Sequence, residues 1–423
     1  MKPKLFTTLK DYSWRLFAGD TLAGVTVALV ALPLSLAIAI ASGAEPRSGL
    51  ITAIIGGFLI SLLGGSRVQI GGPTGAFIVV VADVIQQHGF DGLLLATFLA
   101  GIILVAGGLF RVGRLIALVP EAVIEGFTVG IALIIAVSQL KDLFGLSAAH
   151  LPADLVHGVP ALWAAHRQAN LSAFAVGIAS IAGIAVLRRL LPWFPGSLVV
   201  IAAASAFVAF LPLDVDTIVS RFGALPSGLP LPSLPHLSIT RISELLPSAF
   251  VIAFLAAVES LLSAIVADRM IGGRHRPSAE LLAQGAANIA APLFGGIPAT
   301  GAIARTATNV RAGGRTPVAG LVHAATILII MLVAAWAAGY LAMPALAGLL
   351  IITAWLMSEP ARWPERMKLR PSDRALFFMT MLLTIASNLT IAIAVGTAVG
   401  LALRLLRKDV EPEEWTPADR SKF

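Results

Sequence analysis

Apolar runs of about 20 residues, each broken off by a short polar patch, recur along nearly the whole chain. A helix of that length crosses about 30 Å of hydrocarbon. Charged residues make up 13% of the 423 and hydrophobic ones 57%, whereas a soluble domain carries about 25% charged residues. These observations predict an all-α integral membrane protein rather than a soluble enzyme.

The apolar segments fall at about 19–42, 48–65, 73–87, 91–110, 115–138, 170–187, 194–212, 244–266, 277–296, 301–312, 317–338, 341–358, 373–388 and 390–406. Of these fourteen, the third and tenth are too short to span alone. Residues 1–18 are basic and amphipathic, with no small-residue cleavage site ahead of the first apolar run, so they read as a cytoplasmic surface helix and not a signal peptide. The transporter domain then covers 19–408, with a short cytoplasmic tail over 409–423. A net charge of +7 suggests nucleic acid only in a soluble protein. Here it fits Lys and Arg gathered in cytoplasmic loops. With the N-terminus inside and the segments alternating, 24 of the 30 Lys and Arg fall on the inner side and five on the outer, and Arg305 stays within the membrane. Both termini are expected in the cytoplasm, most simply at a bacterial inner membrane. There is no cysteine, which excludes disulfides and thiolate metal sites. No Walker loop or HExxH motif is present, so neither cofactor nor metal is expected.

A repeat is legible. Gly71-Gly72-Pro73-Thr74-Gly75-Ala76 is echoed by Gly295-Gly296-Ile297-Pro298-Ala299-Thr300-Gly301-Ala302. Seven segments separate the two, an odd number, so repeat one (19–212) and repeat two (244–408) should lie in opposite orientation, a plan shared by many secondary transporters. The echoed stretches open the two short segments. Gly and Pro let the chain run non-helically to mid-membrane, where a half-helix begins with free N–H groups and the positive end of its dipole. Two such starts make an anion site. Thr74 and Thr300 are candidate hydroxyl donors, and Gly75 and Gly301 leave room for the ligand. Arg305, one turn into the tenth segment, either attracts the anion or pairs with an acid. Glu259 is that acid, in a structural pair or as a proton-carrying coupling group. Glu121 and Glu125 share a helix face and suit a solvated or interhelix-bonded role.

Several stretches resemble the sulfate permease (SulP) family of anion transporters. They are Asp20-Thr21-Leu22-Ala23-Gly24-Val25-Thr26-Val27-Ala28-Leu29 with Pro33-Leu34-Ser35; Gly126-Phe127-Thr128-Val129-Gly130-Ile131; Glu259-Ser260-Leu261-Leu262-Ser263-Ala264; and Glu280 through Thr316, with Ala283-Gln284-Gly285-Ala286-Ala287-Asn288 and Arg305-Thr306-Ala307. The resemblance implies fourteen helices in two inverted repeats, split into core and gate domains, with an elevator-like motion. It implies a substrate site between segments one, three, eight and ten, lined by Leu34, Thr74, Glu259, Ala302, Ala304 and Arg305. Many members have Gln in place of Leu34 and serines in place of Ala302 and Ala304, which leaves backbone amides and Arg305 to hold the anion. Sodium-coupled bicarbonate members lack the arginine, which argues against sodium coupling. Most members carry a cytoplasmic STAS domain, and only about 15 polar residues follow Lys408 here, so the resemblance is to the membrane domain alone. The expected function is secondary transport of bicarbonate, sulfate, chloride or a dicarboxylate, by proton symport or anion exchange. The expected partners are that anion, a proton, membrane lipid and a second copy of the chain, and not nucleic acid. A nucleobase permease of the same fold group and a non-transporting sensor or scaffold are the alternatives.

Overall fold

The computed structural model describes residues 2–113, 119–146, 155–191, 194–211, 213–387 and 389–406. The expected tail at 409–423 and the first residues of the fifth segment lie outside these. Helix α1 runs Trp14–Ala41, its start capped by Ser13, whose Oγ accepts from the Leu16 amide at 3.3 Å. It therefore begins before the apolar run does, and the expected surface helix shrinks to a short turn of helix at Lys4–Thr8. Helix α2, Pro46–Leu63, ends where Gly64 turns extended. After strand β1, Gly71–Gly72, comes α3, Ile78–Leu109. The third and fourth expected segments are two arms of this helix, bent at Gly89, whose φ of 72° suits a residue without Cβ. Helices α4 (Glu121–Ser138), α5 (Leu171–Leu190) and α6 (Gly196–Phe210) complete the first half.

In the second half, α7 (Ile239–Ile271) and α8 (Pro277–Leu293) lead to strand β2, Thr300–Gly301. Helix α9, Ile303–Arg311, has nine residues, a rise of about 14 Å that covers half a membrane. Helices α10 (Val318–Gly339), α11 (Met343–Met357), α12 (Pro371–Ala386) and α13 (Leu389–Leu406) follow. Among the described residues, eight helices are long and apolar enough to cross a membrane. This is an integral membrane protein.

The helices pack in two groups. One joins α3 to α7 and α8, and α1 to α10; the other joins α4 to α12 and α5 to α11. Close approach in the first group is made by small residues. A Cβ on Gly101 would lie 2.6 Å from the Ile289 amide nitrogen, and one on Gly285 2.7 Å from that of Val105. Water gives no drive for helix association inside a membrane, so such backbone contact supplies it through dispersion. In the second group, Arg362 and Arg366 gather Glu121, Glu125 and Glu359. Arg366 Nε lies 3.2 Å from Glu125 and Nη2 3.3 Å from Glu359; Arg362 lies 3.3 Å from Glu121 and also pairs with Glu125. The Glu121 and Glu125 pair is thus interhelix-bonded, tying α4 to the segment after α11.

The first group meets the second where α1 packs on α6 and α11 and where the turn at Gly75–Phe77, just past the first of two short strands, packs on α4 and α11. β1 and β2 pair antiparallel, Gly71 opposite Gly301 and Gly72 opposite Thr300. The echo in the sequence matches Thr74 to Thr300, but the strands set Thr300 opposite Gly72 and leave Thr74 beyond the paired stretch.

Candidate functional site

Both crossing loops are held by one helix. Along α8, Glu280, Gln284 and Asn288 repeat every four residues and so share a face; all three are fully buried. Glu280 Oε2 accepts from the amides of Gly65 (2.9 Å) and Ser66 (3.1 Å), just ahead of β1. Its Oε1 accepts from Ser260 Oγ and Gln284 Nε2, each at 3.0 Å. A buried carboxylate needs this many donors, since an unpartnered charge there costs several kcal/mol. Asn288 serves the second loop, donating to the Ala299 carbonyl at 2.8 Å and accepting from its amide at 2.9 Å.

Past the strands the two half-helix starts differ. The first is a short 3-10 turn, Gly75–Phe77, leading into α3. The second, α9, has no side-chain cap, so the amides of Ile303, Ala304 and Arg305 have no partner within the helix. The Ala302 amide is already committed, donating to the Ile70 carbonyl at 2.9 Å. Ala304 is exposed, so the free end of α9 is open to a ligand.

Arg305 lies one turn in and is only 2% exposed. Its Nη2 donates to the Pro73 carbonyl (2.8 Å) and Ser35 Oγ (3.2 Å), so a side chain from the second half clamps the loop of the first. Nε and Nη1 have no partner among the described residues. Gly72 makes room for this guanidinium: a Cβ there would lie 2.2 Å from Nη1, and its φ is 147°. Glu259, on α7, accepts from Thr74 Oγ1 at 2.7 Å. It makes no ion pair with Arg305 within hydrogen-bonding reach, although the field of Arg305 acts on it.

The remaining residues expected at the site divide. Leu34 is half-buried on α1, beside Ser35 and against the apolar core. The Thr300 hydroxyl donates to the Ala256 carbonyl at 2.9 Å, so its proton pins β2 to α7 and is not free for a ligand. Gly301 also has another reason than ligand space, because a Cβ there would fall 1.4 Å from Gln69 Nε2. Gly75 faces the second helix group, where a Cβ would lie 3.0 Å from Met357 Sδ and 3.7 Å from Ile135. Thr74, Glu259 and Arg305, with the open amides of α9, are what the fold brings together. Gln69, Ser260 and the Glu280–Gln284–Asn288 face are supports that sequence reasoning missed; for those on helices the signal is polar side chains at helical spacing inside apolar runs, and Gln69, in a loop, has none.

Residues 17–380 match the model of the Sulfate permease family. YvdB of Bacillus subtilis is 40% identical over 94% of this chain and 75% of its own length. The bicarbonate transporter BicA of a Picosynechococcus species is 30% identical over 93% of this chain and 71% of its own. Among solved structures, the transmembrane domain of a cyanobacterial bicarbonate transporter BicA superposes with a TM-score of 0.80 at 28% identity, covering 92% of this chain and 98% of that one. The chain belongs to the sulfate permease family, a family of anion transporters.

Proposed function

We propose that the chain is a secondary transporter carrying a small monovalent anion, bicarbonate first, between the two helix groups, acting as core and gate domains of an elevator-like mechanism. The observation that carries this reading is Arg305. It is a buried cation with two unpartnered N–H-bearing nitrogens beside an uncapped half-helix start, and burying it costs several kcal/mol unless an anion completes it. One arginine and dipole-borne amides supply about one and a half positive charges. Glu259 removes one when ionised, so the site balances a monoanion better than sulfate.

Glu259 is the coupling group in this reading. Ionised, it accepts a hydrogen bond from the Thr74 hydroxyl and cancels part of the field of Arg305. Protonated, it can itself donate to Thr74 Oγ1, which turns the Thr74 hydrogen toward the anion and leaves Arg305 uncompensated. Proton and anion then load together. The assay is uptake of radiolabelled bicarbonate, chloride, sulfate and uracil into proteoliposomes, with and without an inward proton gradient. Bicarbonate uptake that rises with the gradient and is lost in Arg305→Ala supports the proposal. Unchanged kinetics in that variant, or uptake of uracil alone, overturns it.

A further inference from the structure

Away from the strand crossing, a groove of about 540 Å³ opens between α5 and α11. Its floor is apolar, from Ile181 and Ala185 on one helix to Ile351 and Ile352 on the other, and Trp355 stands at its edge, 64% exposed. At one end lie Arg188 and Arg189, in the last turn of α5. Neither has a hydrogen-bond or ion-pair partner among the described residues. No carboxylate field is resolved at Arg188; the charged group that acts on it is another cation, Arg311. The negative end of the α5 dipole, about half a charge, offsets only part of two full ones. Among the described residues, these two exposed guanidinium groups at the rim of an apolar groove have no counter-anion.

We infer that this groove binds an anionic phospholipid, its phosphodiester held by Arg188 and Arg189 and the upper part of one acyl chain lying on Ile181, Ile351 and Trp355. The charges decide the occupant. Guanidinium meets a phosphate bidentately, the methylenes find only apolar wall, and Trp355 has the amphipathic ring that favours the headgroup boundary. A second copy of this chain would have to bring acids to the same spot. Basic groups near a bilayer surface each favour an anionic lipid about five-fold, so the pair together gives roughly a thirty-fold preference over a zwitterionic one.

Quenching of Trp355 by brominated lipids tests this. Seven tryptophans emit, so the Trp355 signal is the difference between the full chain and its Trp355→Phe variant in the same vesicles. Brominated phosphatidylglycerol diluted into phosphatidylcholine should quench that signal at about thirty-fold lower mole fraction than brominated phosphatidylcholine. Arg188→Gln with Arg189→Gln should bring the two lipids level while anion uptake persists. Inorganic phosphate should not displace the brominated lipid, since the acyl contact is needed. Equal quenching by both lipids in the unaltered protein overturns the proposal, as does displacement by inorganic phosphate. So does a Trp355 signal untouched by either lipid together with a double variant that dissociates in native mass spectrometry, which would assign the groove to a second copy.

Discussion

Replacing Gly301 by alanine separates two reasons why a glycine stands at the strand crossing. The added Cβ would lie 1.4 Å from Gln69 Nε2, 2.5 Å from its Cδ and 3.1 Å from its Cγ. Gln69 must swing away, and it then loses its donations to Ser260 Oγ (2.9 Å) and the Ser260 carbonyl (3.3 Å). Two buried hydrogen bonds are worth about 1 kcal/mol each, and overpacking adds about 1–3 kcal/mol. The expected loss is therefore about 3–5 kcal/mol, read from reversible denaturation in detergent. Gln69→Ala should relieve the collision, so the double variant should cost less than the sum of the singles by about 3–5 kcal/mol. If packing is the whole reason, the double variant regains anion uptake along with stability. Additive costs would refute the packing account. Recovered stability with uptake still lost would mean that the space belongs to the anion as well.

Arg305→Gln should weaken anion affinity by about 10–100-fold, the loss of 1.4–2.8 kcal/mol, and should also lower the Tm because the clamp on Pro73 is lost; unchanged affinity in equilibrium binding would refute its role. Glu259→Gln should abolish uphill accumulation yet keep exchange between two loaded compartments, and a variant that still accumulates anion with the same pH dependence would remove Glu259 from coupling. Glu280→Ala should cost about 3–5 kcal/mol by leaving the amides of Gly65 and Ser66 buried without an acceptor, measured as lost stability in detergent. Burial and the neighbouring Asp20, which accepts from the Tyr12 hydroxyl at 3.1 Å, push Tyr12 up to about 12. Its folded value lies above its unfolded one, so this contact stabilises fully below pH 10 and is lost as pH rises through 12; absorbance titration near 295 nm should show a step near pH 12 that Tyr12→Phe removes.

The membrane class, the short tenth helix and the crossing loops could be read from the chain because hydrophobic length and Gly-Pro punctuation are local properties. Arg305 stood out for a similar reason, as a charge inside an apolar run. The register of the crossing was not legible. Thr74 and Thr300 look equivalent as letters, but strand pairing is set by backbone geometry, and it places Thr300 opposite Gly72 with Thr74 outside the pair. For the same reason Thr300 gives its proton to Ala256, a residue 44 positions away whose carbonyl no spacing rule could nominate. Gln69 is invisible beside Gly301 until the loop is folded. The Glu280–Gln284–Asn288 face lay in plain sight as a helical period, but only the fold says which loops it holds.

That face has a mechanical consequence. Because one helix grips the approach to β1 through Glu280 and the approach to β2 through Asn288, and the strands grip each other, the two half-helix starts have almost no independent degree of freedom. The cradle therefore behaves as one rigid unit, and it cannot be widened by moving one wall. If this cradle holds the anion as proposed, selectivity is tuned by exchanging side chains around it, such as Ala302 and Ala304 at the start of α9, with the backbone fixed. A substitution on the buried face of α8 would instead loosen both walls at once and blur every preference together.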